Sequence, residues 1–446
     1  MSSENSPRET RLSRRDVLRR SAVATIIAGF GLSGVAGTVS AKPKDVIPID
    51  EPTRITESGY YVLTKDLAIT NPDATVISID EGLSDVTIDG QGYSIEGPGN
   101  GDRTPFDDFS DTGTSVGISA GSYEEEVLEN VTIKNLCVRG FFNGLRLESV
   151  RGGAIQNVNI YICDYGTECL QTYDVTVRNC LFKKNNQGFY TTEGGGGLVF
   201  HKNRFIGNQT GALLTESVDA LFKENYFAYN TSYGVEPVIV DGYRFIDNTF
   251  YKNGNDEFGY GIFLDEVSGT VIRGNRFIEN LQYGLYIGGG FGNHIEKNIF
   301  DKNGDAGIRG GFQDSVISKN TITDNGGEGI SLVGTSLDNE ISKNVISGNS
   351  KDGILFVGVD NNLILKNTIR NNGGDGIELR DSDDNVIRKN IITGNGDLPI
   401  RIDDESTGNV VEKNKTDENG DSGNGNYKEN GGDNDGDDGI CRVDSH

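Results

Sequence analysis

The sequence predicts an all-β solenoid of about 15 coils, in which short strands each pair with their copy one coil further on. Three observations carry this. Asparagine recurs in a column at Asn203, Asn225, Asn248, Asn275, Asn298, Asn320, Asn344, Asn367, Asn390 and Asn414, at spacings of 22 to 27 residues. A second column follows five residues later each time: Asn208, Asn230, Asn253, Asn280, Asn303, Asn325, Asn349, Asn372, Asn395 and Asn419. Around both columns lie short runs of alternating β-branched residues bounded by Asn and Gly, which signal strands. A fixed period of this size marks a stacked repeat.

The repeating unit has apolar residues three before and two after the first asparagine, as at Ile317 and Ile322 or Ile387 and Ile392, and a Gly-Ile pair further on. No apolar stripe of helical spacing runs through it. The period is too short for helical repeats of about 33 residues or more, and a leucine-rich consensus is absent. Two or three short strands per coil remain. Equivalent residues then stack about 4.8 Å apart. An asparagine whose amide bonds the asparagine above and below can fill a tight inward bend with its polar groups satisfied. The two columns therefore read as internal ladders rather than as a ligand site.

Taken in order, residues 1–41 read as an export signal. Ser13-Arg14-Arg15-Asp16-Val17-Leu18, the apolar stretch from Ala22 to Val35, and Val39-Ser40-Ala41 resemble a twin-arginine leader with its cleavage site. No later segment is apolar enough to span a membrane. Residues 42–85 read as an N-terminal cap, residues 86–415 as the coils, and residues 416–446 as an acidic, disordered tail. The turn-rich stretch from Gly97 to Thr114 reads as a loop thrown out of an early coil. The chain carries a net charge of −26, and −29 without residues 1–41. Such a balance excludes nucleic acid and anionic membranes as partners. It resembles the acidic surfaces of proteins from salt-loving archaea.

Cys137, Cys163, Cys169 and Cys180 cluster in neighbouring coils without metal-ligand spacing. Cys163 and Cys180 stand where the two ladder columns would continue, so they read as small buried residues, with one disulfide left open. His201 and His294 lie four coils apart. No GxSxG, P-loop or HExxH motif occurs.

Because the ladders take the interior, chemistry falls to outward positions. The residue two after each repeat glycine forms a row: Arg146, Glu168, Tyr190, Leu213, Glu236, Phe263, Tyr286, Arg309, Ser331, Leu355 and Glu378. Strand alternation turns this row outward. Its middle mixes carboxylates, rings and an arginine, so Glu168, Tyr190, Glu236, Phe263, Tyr286 and Arg309 are expected to bind substrate in a groove on the middle coils. Twelve of the 17 tyrosines fall between Tyr161 and Tyr286. Glu193 and Glu216 occupy equivalent places in adjacent coils, with Asp265 and Glu266 near the same edge. These four are the candidate catalytic residues: one carboxyl held protonated beside an ionised partner is a general acid. Asp265 and Glu266 are also candidate Ca²⁺ ligands. The lysine row Lys297, Lys319, Lys343, Lys366, Lys389 and Lys413 reads as a solvated face.

The repeat resembles the right-handed parallel β-helix family, the pectin-lyase-like fold, across residues 55–415. The segments Gly59-Tyr60-Tyr61-Val62-Leu63 and Val86-Thr87-Ile88-Asp89-Gly90-Gln91-Gly92 also resemble secreted archaeal β-helix proteins of the NosD type. The resemblance implies polysaccharide lyases, glycoside hydrolases and epimerases acting outside the cell. The Gly-His-Gly of polygalacturonases, the Asp-Pro-x-His of alginate epimerases and the Arg-x-Pro-x-x-Arg of pectate lyases are all missing, so no catalytic residue carries over. Three readings follow: a protein that binds or processes an extracellular polysaccharide, a NosD-type accessory protein for copper-site assembly, and a non-catalytic cell-surface rod. Copper favours Cys, Met and His, and the only methionine is Met1.

Overall fold

The computed structural model describes residues 46–99, 112–123, 126–255, 259–334, 336–416 and 441–442. The export stretch, most of the early loop, Asn419 and most of the acidic tail lie outside the described residues. The strands join in one continuous system, and pairing between coils is parallel throughout. In the middle coils each turn holds three strands, and each strand pairs with the one three further on. Tyr260–Leu264 pairs with Leu285–Ile287, Val271–Arg273 with His294–Glu296, and Arg276–Ile278 with Ile299–Asp301. One register row counts the coils: Arg54, Ser78, Ser119, Arg146, Glu168, Tyr190, Leu213, Glu236, Phe263, Tyr286, Arg309, Ser331, Leu355, Glu378 and Arg401. These are the fifteen coils that the repeat predicts, a rod of about 70 Å at the strand spacing. Val46–Ile49, within the segment expected to be a cap, already pairs in parallel with Tyr60–Leu63. At the other end Cys441–Arg442 pairs antiparallel with Val410–Glu412 and takes up part of an open edge.

The interior is built of columns. In the first, each asparagine Nδ2 donates to the Oδ1 of the next asparagine at 3.0–3.1 Å from Asn203 to Asn414. It also donates to a backbone carbonyl one coil back, as from Asn298 to Ile272 at 2.8 Å. The second column behaves alike and begins one coil earlier than the sequence suggests, at Asn185, whose Nδ2 meets Asn208 Oδ1 at 3.1 Å. A third, shorter column turns another corner through Asn293, Ser315, Asn339, Asn362, Asn385 and Asn409. Cys163 and Cys180 do hold ladder places: their backbone N–H groups donate to Asn185 and Asn203 at 3.0 and 2.9 Å. Cys163, Cys169 and Cys180 are buried thiols without a disulfide.

Aromatic rings fill the middle of the core. Phe182, Phe205, Phe227, Phe250, Phe277 and Phe300 stack at 4.6–5.0 Å with planes within 7° of parallel. That spacing is the coil rise, so one ring per coil fits the column. Beyond Phe300 the same place passes to Ile322, Ile346, Ile369 and Ile392.

Candidate functional site

The outward row behaves as strand alternation requires through the middle coils. Val235 and Pro237 are buried while Glu236 between them is half-buried, and Ile262 and Leu264 flank the half-buried Phe263 in the same way. The row does not stay open to its end. Ser331, Leu355 and Glu378 are 0%, 8% and 6% exposed. Arg309 reaches Ser331 Oγ at 3.4 Å, and Arg380 lies on Glu378 at 2.6 Å. Long basic side chains thus close the row past Arg309.

Between these ends lies a strip of rings from two neighbouring rows. Tyr233, Tyr260 and Tyr283 stand on one, Phe263 and Tyr286 on the other. Their centroids are 5.1–5.9 Å apart, and Phe263 and Tyr286 lie within 8° of parallel. Rings in face contact would sit about 3.5 Å apart. These are therefore slid past one another like steps, each leaving an edge and part of a face to solvent. The neighbours cover part of each face. The Arg309 guanidinium closes the far end, 5.5 Å from the Tyr283 ring. A second, smaller group joins Phe142, Tyr165 and Tyr190 at 5.4 and 5.1 Å.

The carboxylates separate into three kinds. Glu193, Glu216 and Glu266 are exposed and sit at a left-handed corner, with φ of 56°, 52° and 50°. Glu168 is held: Asn143 Nδ2 donates to it at 2.9 Å and Arg146 lies at 3.4 Å. Burial pushes its carboxyl up, and Arg146 and Asn143 hold it down. Glu236 and Asp265 form the third kind. Val238 bridges to Asp265 in the next coil, which sets Glu236 diagonally beside Asp265. From strand rise and coil spacing their Cα atoms are roughly 8 Å apart. Burial, and then the charge of Asp265, push the Glu236 carboxyl up to about 7. A Cβ built on Gly288 would lie 2.8 Å from Asp265 Oδ1 and 3.3 Å from the edge of Tyr286. Asp265 therefore leans over a glycine toward the ring strip.

Sequence reasoning missed one cluster. Asp352, Asp375 and Glu378 bring carboxylate oxygens within 4.8 Å of one another, and they are the one such group of three among the described residues. Asp265 and Glu266 are not drawn into a comparable group there. The cluster lines a cleft of about 380 Å³ with Lys351, Arg380 and Arg401. Arg401 binds Asp375 at 2.6 and 3.3 Å, and Asp352 Oδ1 accepts the Asp375 N–H at 2.7 Å. Burial and the neighbouring carboxylates raise the Asp352 carboxyl. Two guanidinium groups thus supply the positive charge that a metal ion would bring. Its signal was present in the sequence as acids before successive glycines: Glu328-Gly329, Asp352-Gly353 and Asp375-Gly376.

Two families match the chain. One, described as a right-handed β-helix region, matches residues 310–435. The other, described as periplasmic copper-binding protein (NosD), matches residues 108–305 and 244–344, together more than half of the chain. No curated protein matches. Among solved structures, a periplasmic alginate epimerase aligns at 16% identity over 78% of each chain with a TM-score of 0.47. The A-module of an Azotobacter vinelandii mannuronan C-5 epimerase aligns at 15% identity over 83% of this chain and 90% of that one, with a TM-score of 0.45. A tailspike protein of an E. coli bacteriophage, in complex with a pentasaccharide, aligns at 13% identity over 80% and 69%, at 0.47. At this level the likeness is one of coils and carries no reading of activity. Among the described residues the Cys and His donors that copper favours form no group of three. Burial holds the Cys163 and Cys180 thiols protonated by pushing both up to about 12. His201 and His294 are four coils apart along the paired strands.

Proposed function

The chain belongs to the right-handed β-helix repeat family with NosD-type members, and from that premise we propose that it is an exported protein that binds an extracellular polysaccharide along the outer face of its middle coils. One observation carries the reading: Tyr233, Tyr260, Phe263, Tyr283 and Tyr286 form a stepped, partly exposed strip over three successive coils, closed by Arg309. Rings that are apolar in body and polar at the tip suit sugars, which present C–H faces and hydroxyl edges together. Equivalent sites repeat along the rod axis, so an extended chain of sugars lies parallel to it. The twin-arginine leader is the route by which the protein reaches such a polymer. The copper-assembly reading has no cluster of soft donors among the described residues to support it.

The test is binding of the full chain to a glycan panel that includes neutral, amino-bearing and uronate polymers, in high and low salt, with and without Ca²⁺. Release of reducing or unsaturated ends in the same samples separates a hydrolase or lyase from a binding protein. Binding that is lost in Tyr260→Ala and Tyr286→Ala supports the strip. Absence of binding across the panel sinks the reading.

A further inference from the structure

The groups around the strip say which glycan it suits. Glu236 and Asp265 stand on its flank, diagonal neighbours in successive coils, and neither carboxyl makes a hydrogen bond or ion pair within the described residues. Elsewhere on this face other carboxylates withdrawn from solvent are matched: Glu168 by Arg146 and Asn143, Asp375 by Arg401, Glu378 by Arg380. A half-buried pair of like groups without donors is unfavourable as it stands. It becomes favourable once something that donates hydrogen bonds, above all a cation, lies between them.

The wider surround points the same way. Glu193, Glu216 and Glu266 are exposed along the adjoining corner, and Asp305 lies at the Tyr283 hydroxyl. The cation set against them at the strip, Arg309, is already engaged with the Tyr283 ring and Ser331. A polymer with a carboxylate on each sugar meets net negative charge along this whole length.

We infer that the strip takes a glycan bearing free amino groups, with one ammonium seated between Glu236 and Asp265, and turns away polyuronates. The inference rests on the glycan-binding reading and adds the class of sugar. An ammonium has three donors, enough to reach both carboxylates and keep one for solvent. The rings on either side carry the sugar's apolar faces, and Arg309 marks the end of the amine-accepting stretch.

The experiment titrates the full chain with three oligomers of equal length: glucosamine, N-acetylglucosamine and galacturonate. It is run at about pH 6, where the sugar amine is charged and its seating draws the proton from Glu236 to solvent, in about 0.1 M salt, where charges act over about 10 Å. The amino oligomer should bind at least about tenfold more tightly than the acetylated one, with the uronate weakest. In a Glu236→Gln, Asp265→Asn double variant the amino and acetylated oligomers should converge to within about threefold. An unchanged β-sheet circular-dichroism spectrum shows that the variant is folded. Uronate binding as tight as or tighter than the amino oligomer overturns the inference while leaving the strip in place, provided that Tyr260→Ala abolishes it. A preference for the amino oligomer that survives the double variant also overturns it. Failure of all three oligomers removes the glycan-binding reading as well.

Discussion

Asn298→Ala tests how much of the rod's stability resides in the ladders. Asn298 Oδ1 accepts from the Asn275 backbone N–H at 2.9 Å and from Asn275 Nδ2 at 3.1 Å. Its own Nδ2 donates to the Ile272 carbonyl at 2.8 Å and to Asn320 Oδ1 at 3.0 Å. Alanine removes all four bonds. Two of the abandoned partners keep a substitute: Asn275 Nδ2 still reaches the Phe245 carbonyl at 2.7 Å, and Asn320 Oδ1 still receives the backbone N–H of residue 298 at 2.9 Å. The Asn275 N–H and the ladder side of the Ile272 carbonyl are stranded in a site that is 0–1% exposed. A stranded buried group costs about 1–3 kcal/mol, so the loss is about 2–6 kcal/mol. The neighbour Lys297, exposed at φ 57°, is the control. Lys297→Gly relieves a left-handed residue and should change stability by no more than about 1 kcal/mol. Urea midpoints compare the two variants, and hydrogen exchange at the Asn275 amide localises the effect. Coils interact only with their neighbours, so exchange should rise around coils 275–320 and leave the ends as they were. A loss below about 1 kcal/mol with the Asn275 amide still protected would refute the ladder as a source of stability.

Three further outcomes follow from the charged and buried groups. Glu236 is raised from 4.5 to about 7 in the folded chain, so its contribution is fully present below about pH 4.5 and is lost as pH rises through 7. The difference is at most about 3–4 kcal/mol; Glu236→Gln should raise the urea midpoint at pH 8 relative to pH 5, and equal pH dependence in variant and parent would refute it. Arg401→Ala leaves the buried Asp375 without its guanidinium and should cost about 2–3 kcal/mol, between exposed and buried pairs, as read by the same midpoint. Cys163 and Cys180, pushed up to about 12 by burial, should resist a thiol reagent at pH 8 until the chain unfolds; peptide mass mapping that finds rapid labelling in the native state would contradict their burial.

The ladder positions were legible because a stacked asparagine must recur in every coil, and ten in register leave little else to fit. The third column was not, because Ser315 interrupts it and it begins only at Asn293. The glycine-plus-two row was readable from strand alternation, and its order survives in the structure from Arg146 to Glu378. What alternation cannot reveal is whether a neighbour bends over the row. Arg309 and Arg380 do, and so bury Ser331 and Glu378. The same limit applies to the carboxylates: Glu193 and Glu216 share a place in adjacent coils, yet both stand in solvent at a corner. Glu236 was noted as a binding residue and Asp265 as a catalytic one. Their pairing depends on a diagonal between coils of unequal length, 27 residues apart at Val238 and Asp265, which a single-row alignment does not display.

The outer rings invite a plainer explanation, since aromatic residues favour strands in general. Propensity alone would spread them along the rod. Instead the outward row carries Ser78 and Ser119 near one end, Ser331 and Leu355 toward the other, and Phe263 and Tyr286 between. The inner phenylalanine column occupies the same coils, so a wider middle of the rod is the competing cause. The two columns differ in burial. Phe250, Phe277 and Phe300 are 0% exposed and fill volume, while Tyr233, Tyr260, Phe263, Tyr283 and Tyr286 are half-buried. A ring that keeps up to about a third of some 200 Å² exposed forgoes up to about 2 kcal/mol relative to full burial. Five adjacent rings left so are a poor choice for stability and a good one for a surface that a ligand completes. Tyr260→Ala and Phe277→Ala separate the two causes. The first should cost about 2 kcal/mol of stability and at least tenfold in glycan affinity. The second should cost about 3–5 kcal/mol of stability, with affinity changing only as far as the fold is lost. If Tyr260→Ala destabilises as much as Phe277→Ala, the outer rings belong to the core and the strip is not a binding surface.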